Sequence, residues 1–394
     1  MIIVQVIAFA LGAALAGRAL LSAVRTFVLP RASGDGVARR VFKSTRWVFL
    51  RFAGPGKPYA TRDRLMAYFG PISLIVLPTV WLVMVFLGYA LMFWAVGVPT
   101  IEEALLTSGS SLLTLGFHRA VLPGADFLMF TEAAIGLGLV ALLISYLPAI
   151  YGGFSRRELL VSLLEVRADS PPSPLILITR FDRLRGLEHL HETWERWEQW
   201  FAELEESHTS LTVLVDYRSQ QPDLSWVNAA GAMMDAAAIV RSSVAIPMDA
   251  QADLMIRAGY LALRRIARVF GITYDPSPRA DSPTSISRAM YDEAIDVLAA
   301  AGVPIVADRD QAWQDFNGWR VNYDEVLRGM ERLTVAPTGW WELPMRSAWA
   351  TDEPSSEVAA RHGAVAAHPV GSTVTAGRAP AASTPPASSP ESAP

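Results

Sequence analysis

The run Thr114-Leu115-Gly116-Phe117-His118 offers the chemistry of main-chain oxygen rather than of side chains. Glycine lets the backbone take positive φ without a steric penalty. Carbonyls turned to one side by such a backbone can replace the water shell of a small cation. Three polar or ionisable residues accompany the run in apolar surroundings: Ser110, Arg119 and Glu132. An ionisable group inside an apolar stretch is a functional candidate by default. Glu132 is expected to accept a hydrogen bond from Ser110 or to pair with Arg119, bracing the run from behind. Other chemistries find no residues to carry them. The chain has no cysteine, which excludes disulfides and thiolate sites, and its six histidines are scattered. His189, His191 and Glu192 share one helix without the i, i+4 spacing of a zinc motif. With no nucleophile and base in a recognisable pattern, no enzyme and no resident cofactor or metal is expected. The net charge of −4 implies no nucleic-acid partner.

These residues sit in a chain of 394 residues that is 52% hydrophobic, with a mean hydropathy of +0.27, too apolar for an ordinary soluble protein of its size. The apolar residues are concentrated before residue 155. Residues 1–29, 69–98 and 127–154 form runs long enough to cross a hydrocarbon core of about 30 Å. The missing basic region at the start argues for a true span over a cleaved leader in residues 1–29. The segment from Arg18 to Arg64 is rich in arginine and holds only Asp35 and Asp63 as acids, so it belongs on the cytoplasmic side of a plasma (inner) membrane. The N-terminus is then outside, and the third span returns inward to Arg156 and Arg157. The basic segment is a topology determinant and a candidate contact for anionic lipid headgroups.

Thr100-Ile101-Glu102-Glu103 is a capping box that opens a short helix reaching about Leu113, too short to span. The order is therefore span, short helix, glycine-bearing loop, span. From about Met66 to Glu158, carried by Ala104 to Phe117, the sequence resembles the two-transmembrane pore module of potassium channels. The resemblance implies a re-entrant pore helix, a selectivity filter at Thr114, Leu115, Gly116, Phe117 and His118, a permeating potassium ion and a homotetramer, since one loop per chain needs four chains. Thr114 would then supply oxygens at the inner end of the filter. His118 and Arg119 stand where the family has glycine and aspartate, and four copies of Arg119 would oppose cations unless Glu102, Glu103 or Asp126 offset them. Gly136, Gly138 and Pro148 are candidate hinges of the inner helix, although close helix packing explains glycines equally well. A non-conducting, membrane-anchored sensor or interaction protein on the same scaffold is the alternative.

The expected architecture is an all-α membrane protein with three transmembrane helices, a re-entrant pore helix and filter loop, and an α-helical cytoplasmic domain. Its parts are an N-terminal helix (1–29), a basic loop (30–65), the pore module (66–158), a connector (159–174), a helical domain of unknown partner (175–350) and a disordered tail (351–394). Leu187, Leu190, Trp194, Trp197, Phe201 and Leu204 recur at helical spacing and mark a buried face. Further helices are expected at Trp226–Ser243, Ala250–Phe270, Ser287–Ala301 and Gln311–Leu333. Residues 175–179 and 211–215 are apolar stretches read as helix extensions or packed loops rather than strands. Trp340, Trp341 and Trp349 are expected to pack against the helical core.

Overall fold

The computed structural model describes residues 2–27, 35–54, 56–184, 186–221, 223–337 and 339–340. The expected tail, with Trp341 and Trp349, lies outside them. The described chain is helical, and its one extended pairing is an isolated antiparallel bridge between Val244 and Ile305.

The apolar part begins with α1 (Ile2–Phe27), followed by α2 (Gly36–Phe52), α3 (Tyr59–Ala67), α4 (Phe69–Ala95), α5 (Ile101–Leu112) and α6 (Ala125–Ala168). Among the described residues three helical stretches are long and apolar enough to cross a membrane: α1, the run from Tyr59 to Ala95, and α6. α1 lies along α4, where small residues let the backbones approach. A Cβ on Gly88 would fall 2.7 Å from the Gly12 carbonyl oxygen and 3.1 Å from Ala16 N. Trp81 Nε1 donates to Ser22 Oγ at 2.9 Å, and Ser22 donates to Asp35 at 2.5 Å. Asp35 also caps α2 by accepting from the amides of Val37 and Ala38, and pairs with Arg18 at 2.9 Å. Burial works against the charge of Asp35, yet the Ser22, Ala38 and Val37 donors hold its carboxyl below the usual range. The stretch read as a basic loop is thus mostly helix, because Val37, Ala38 and Val41 supply an apolar stripe that packs on Leu77 and Trp81.

The remaining helices are α7 (Pro174–Leu184), α8 (Leu190–Ser210), α9 (Trp226–Ser243), α10 (Ala250–Val269), α11 (Arg288–Ala300), α12 (Arg309–Arg320) and α13 (Asp324–Thr334), with short 3-10 turns at Leu187–His189 and Thr212–Asp216. α9 is mostly small and apolar and is buried nearly throughout, with Asn228 and Asp235 among its buried residues, so it forms the axis of this part. The predicted stripe of α8 is buried, together with Trp200, against neighbouring helices. Residues 175–179 lie within α7, and of residues 211–215 Leu211 caps α8 while 212–215 lie in the second 3-10 turn.

The single helix expected at Gln311–Leu333 is two. Asn322 Nδ2 donates back to the Gly318 carbonyl at 2.9 Å while Arg264 Nε donates to the Asn322 carbonyl, also at 2.9 Å, so the chain turns between α12 and α13. That turn carries Tyr323 inward, where its hydroxyl donates to Asp235 at 2.8 Å. Trp340 Nε1 donates to the same carboxylate at 2.8 Å, which places the one described tryptophan of the predicted trio in the core.

Candidate functional site

Thr100 Oγ1 accepts from Glu103 N at 3.1 Å, so α5 starts at the predicted cap. The helix then wedges between α4 and α6 through serines one turn apart. Ser108 Oγ lies 2.8 Å from the Phe86 carbonyl of α4 and 2.5 Å from Glu132 Oε1 of α6. Ser111 donates to the Met129 carbonyl at 2.6 Å, and Tyr89 donates to Thr131 at 3.1 Å, tying α4 directly to α6.

α5 ends in a Schellman-type turn, with Thr114 N donating to the Ser111 carbonyl at 3.0 Å and Leu115 N to the Ser110 carbonyl at 2.8 Å. Such a turn needs positive φ at the residue after the cap, and here that residue is Thr114 at φ 53° rather than glycine. A β-branched residue in the left-handed region is strained. Gly116 follows at φ 70°, so the positions of positive φ alternate along the loop. His118 N donates to Ser110 Oγ at 3.1 Å, closing the loop back onto the helix. Leu113, Leu115 and Phe117 are 60%, 60% and 66% exposed, an apolar face that the single chain leaves uncovered.

The neighbours of the loop differ in part from expectation. Glu132 is buried and meets Ser108, not Ser110 or Arg119, because Ser110 faces the loop and Arg119 points away to Asp126 at 2.9 Å. The Arg119–Asp126 pair is exposed and offsets the arginine charge locally. Gly136 packs against the end of α5, where a Cβ would overlap the Leu112 carbonyl, whereas Gly138 has open space around it. α6 runs unbroken through Pro148. Ser108 is the residue sequence reasoning missed. Its signal was the Ser108-Ser111 spacing, which puts two hydroxyls on one face of a helix.

α6 leads on from this site into the helical part. Arg157, buried near its end, donates to the carbonyls of Leu214 at 2.8 Å and Tyr217 at 2.7 Å, and pairs with Glu158 at 2.7 Å. Gly153 allows the approach, since a Cβ there would fall 2.8 Å from Leu214. From the other side Arg46 of α2 pairs with Asp216 at 2.9 Å, and Arg218 pairs with Asp63 of α3. Burial pushes Asp216 up to about 6, with Arg46 holding it back. Among the described residues no group of three or more histidines or acids is arranged to hold a metal ion.

Comparisons with protein-family models, with curated proteins and with solved structures find no match to this chain.

Proposed function

We propose that the chain is one subunit of a homotetrameric, potassium-channel-like cation channel in the plasma (inner) membrane, with its N-terminus outside and the helical domain cytoplasmic. The observation that carries this reading is the loop after α5. Alternating positive φ at Thr114 and Gly116 favours carbonyls turned to a common side, the arrangement that dehydrates a cation. Non-helical backbone at membrane depth is tolerated only when it is covered by protein or lines an aqueous cavity. The uncovered Leu113, Leu115 and Phe117 call for such cover, and three further copies of the same loop would supply it. The carbonyl end of α5 would add its negative dipole to the cation site.

Ion flux into liposomes tests the reading, with potassium compared against sodium and wild type against Gly116→Ala. Methyl addition at φ 70° strains the loop, so the expected outcome is potassium flux in the wild type and its loss in the variant. Particles in detergent are expected to contain four chains. His118 in place of the second filter glycine favours one further reading, a scaffold that has lost conduction. Four-chain particles without flux in any ionic condition would select it.

A further inference from the structure

α2 begins at the basic end of α1, and its first two turns are fixed against helices long enough to span a membrane. Val37, Ala38 and Val41 share an apolar cluster with Ala19 and Ala23 of α1 and with Leu77 and Trp81 of α4. Asp35, at the head of α2, is tied to Ser22 and Arg18 of α1. Farther along, Phe49 meets Phe69 at 5.7 Å between ring centroids, at the first residue of α4, so α2 runs back along α4 away from the apolar centre. Its first turns therefore lie beside the end of α1 where the apolar run gives way to Arg18 and Arg25.

At that level the face opposite the apolar stripe exposes Arg40, Lys43 and Trp47, at spacings of three and four that align them on one side of the helix. Trp47 is 68% exposed. Among the described residues neither Arg40 nor Lys43 forms an ion pair, so their charge is not neutralised within the chain. Two cations beside a solvent-facing indole, next to apolar spans, match an anionic lipid surface: phosphate for the bases, the interfacial zone for the ring. We infer that Arg40, Lys43 and Trp47 form a binding site for the headgroups of anionic phospholipids at the base of the spanning helices. The site stands independently of whether the chain conducts ions.

The helix is also placed to report on its occupancy. Arg46, on another side of the same helix, holds Asp216 and the Leu333 carbonyl. A lipid on one face and the helical part on another thus share a single rigid element.

The test uses the full chain purified in neutral detergent, titrated with phosphatidylglycerol or phosphatidylcholine of equal chain length, with retained lipid counted by native mass spectrometry. A base near an anionic surface strengthens binding about fivefold. Arg40→Gln with Lys43→Gln is expected to lower phosphatidylglycerol retention about 25-fold and leave phosphatidylcholine unchanged. Arg51→Gln removes one positive charge, as Lys43→Gln does, but from the far end of α2, and is expected to change retention less than about twofold. Trp47→Ala is expected to weaken retention of both lipids, and inorganic phosphate to displace neither. Equal retention of the two lipids by the wild type, or an Arg40/Lys43 variant that retains phosphatidylglycerol fully, would overturn the site. So would a variant whose particle size changes while its lipid retention does not, since the face would then be a contact between chains. Should the double variant fail to assemble, the single exchange Lys43→Gln replaces it, with an expected loss of phosphatidylglycerol retention of about fivefold. Full retention by that variant would overturn the site in the same way.

Discussion

Arg157 Nη1 lies 3.1 Å from Nε2 of His208, and both side chains are buried. A guanidinium only donates, so Nε2 is the acceptor and the imidazole carries its proton on Nδ1, which donates to Ser207 Oγ at 3.0 Å. The pair closes a ring of contacts that includes the Leu214 and Tyr217 carbonyls and the Trp200 indole, which donates to the Arg157 carbonyl at 3.0 Å. Through it the end of α6 is held inside the helical part. Motion of that helix and motion of the 211–217 segment are mechanically joined.

The same pair predicts a pH dependence of stability. Burial, and then the charge of Arg157, hold His208 well below the ordinary imidazole range. The folded state keeps His208 neutral while the unfolded chain takes up a proton near pH 6.5, so the contribution is complete above that pH. It is lost as pH falls, by at most roughly 1.4 kcal/mol per pH unit. Asp216 acts in the opposite sense, its carboxyl being raised to about 6, so that its burial is relieved as pH drops through that value. Comparing wild type with His208→Gln isolates the histidine. The wild-type melting temperature should fall more steeply between pH 7.5 and 5 than that of the variant, and parallel curves would rule the effect out.

Two glycines of α6 that look alike in sequence should behave differently. Gly136→Ala drives a methyl into the Leu112 carbonyl at the end of α5 and is expected to cost about 1–3 kcal/mol. Gly138→Ala meets nothing and should be neutral or stabilise the helix by about 0.5–1 kcal/mol. Thermal denaturation of the two variants in detergent checks this. Equal destabilisation would show that flexibility, not packing, governs both sites.

Legibility in the sequence follows the range of the interaction. Trp226–Ser243 is readable to its observed ends, and α5 from its Thr100 cap, because a continuous run of small and apolar helix formers and a capping residue act within a few positions. α2 is hidden although its stripe is regular, since the arginines on its other face dominate the pattern. The partner of Glu132 is Ser108 and not the expected Ser110, because nothing local says which serine of α5 faces α6 and which faces the loop. Arg46–Asp216 and Arg157–His208 join residues 170 and 51 positions apart, and no pattern in either segment announces them.

Asp235 shows how much the helical part depends on one such long-range contact. It and Arg320 are fully buried, joined through both carboxylate oxygens, and Tyr323 and Trp340 complete the carboxylate's partners. Removing Asp235 leaves Arg320 paired with Asp324 at 2.8 Å but without its fully buried carboxylate, and it leaves the Tyr323 and Trp340 donors without that acceptor, a loss of about 1–3 kcal/mol. Asp235→Ala is therefore expected to shift urea unfolding of the helical part strongly downward. The double exchange Asp235→Leu with Arg320→Met should recover part of the loss, because it removes both charges. A double variant no more stable than the single one would show that shape, not charge, dominates the site.

Glu132 offers the sharpest test of the loop's support. Its carboxyl stands between α5 and α6, 2.5 Å from the Ser108 hydroxyl, which also lies 2.8 Å from the Phe86 carbonyl. Glu132→Gln keeps the shape and a hydrogen-bonding group at that point, whereas Glu132→Ala empties the space and leaves Ser108 with one partner fewer. Loss of a buried partner costs about 1–3 kcal/mol. α5 also carries Ser110, whose hydroxyl holds His118 N, so a shift of the helix is passed directly to the loop. Under the channel reading, Glu132→Ala should lower potassium flux at least tenfold and lower the thermal stability of the particles. Glu132→Gln should retain most of both. Flux unaffected by Glu132→Ala would separate this contact from the loop, and stability lost equally in both variants would assign the effect to charge.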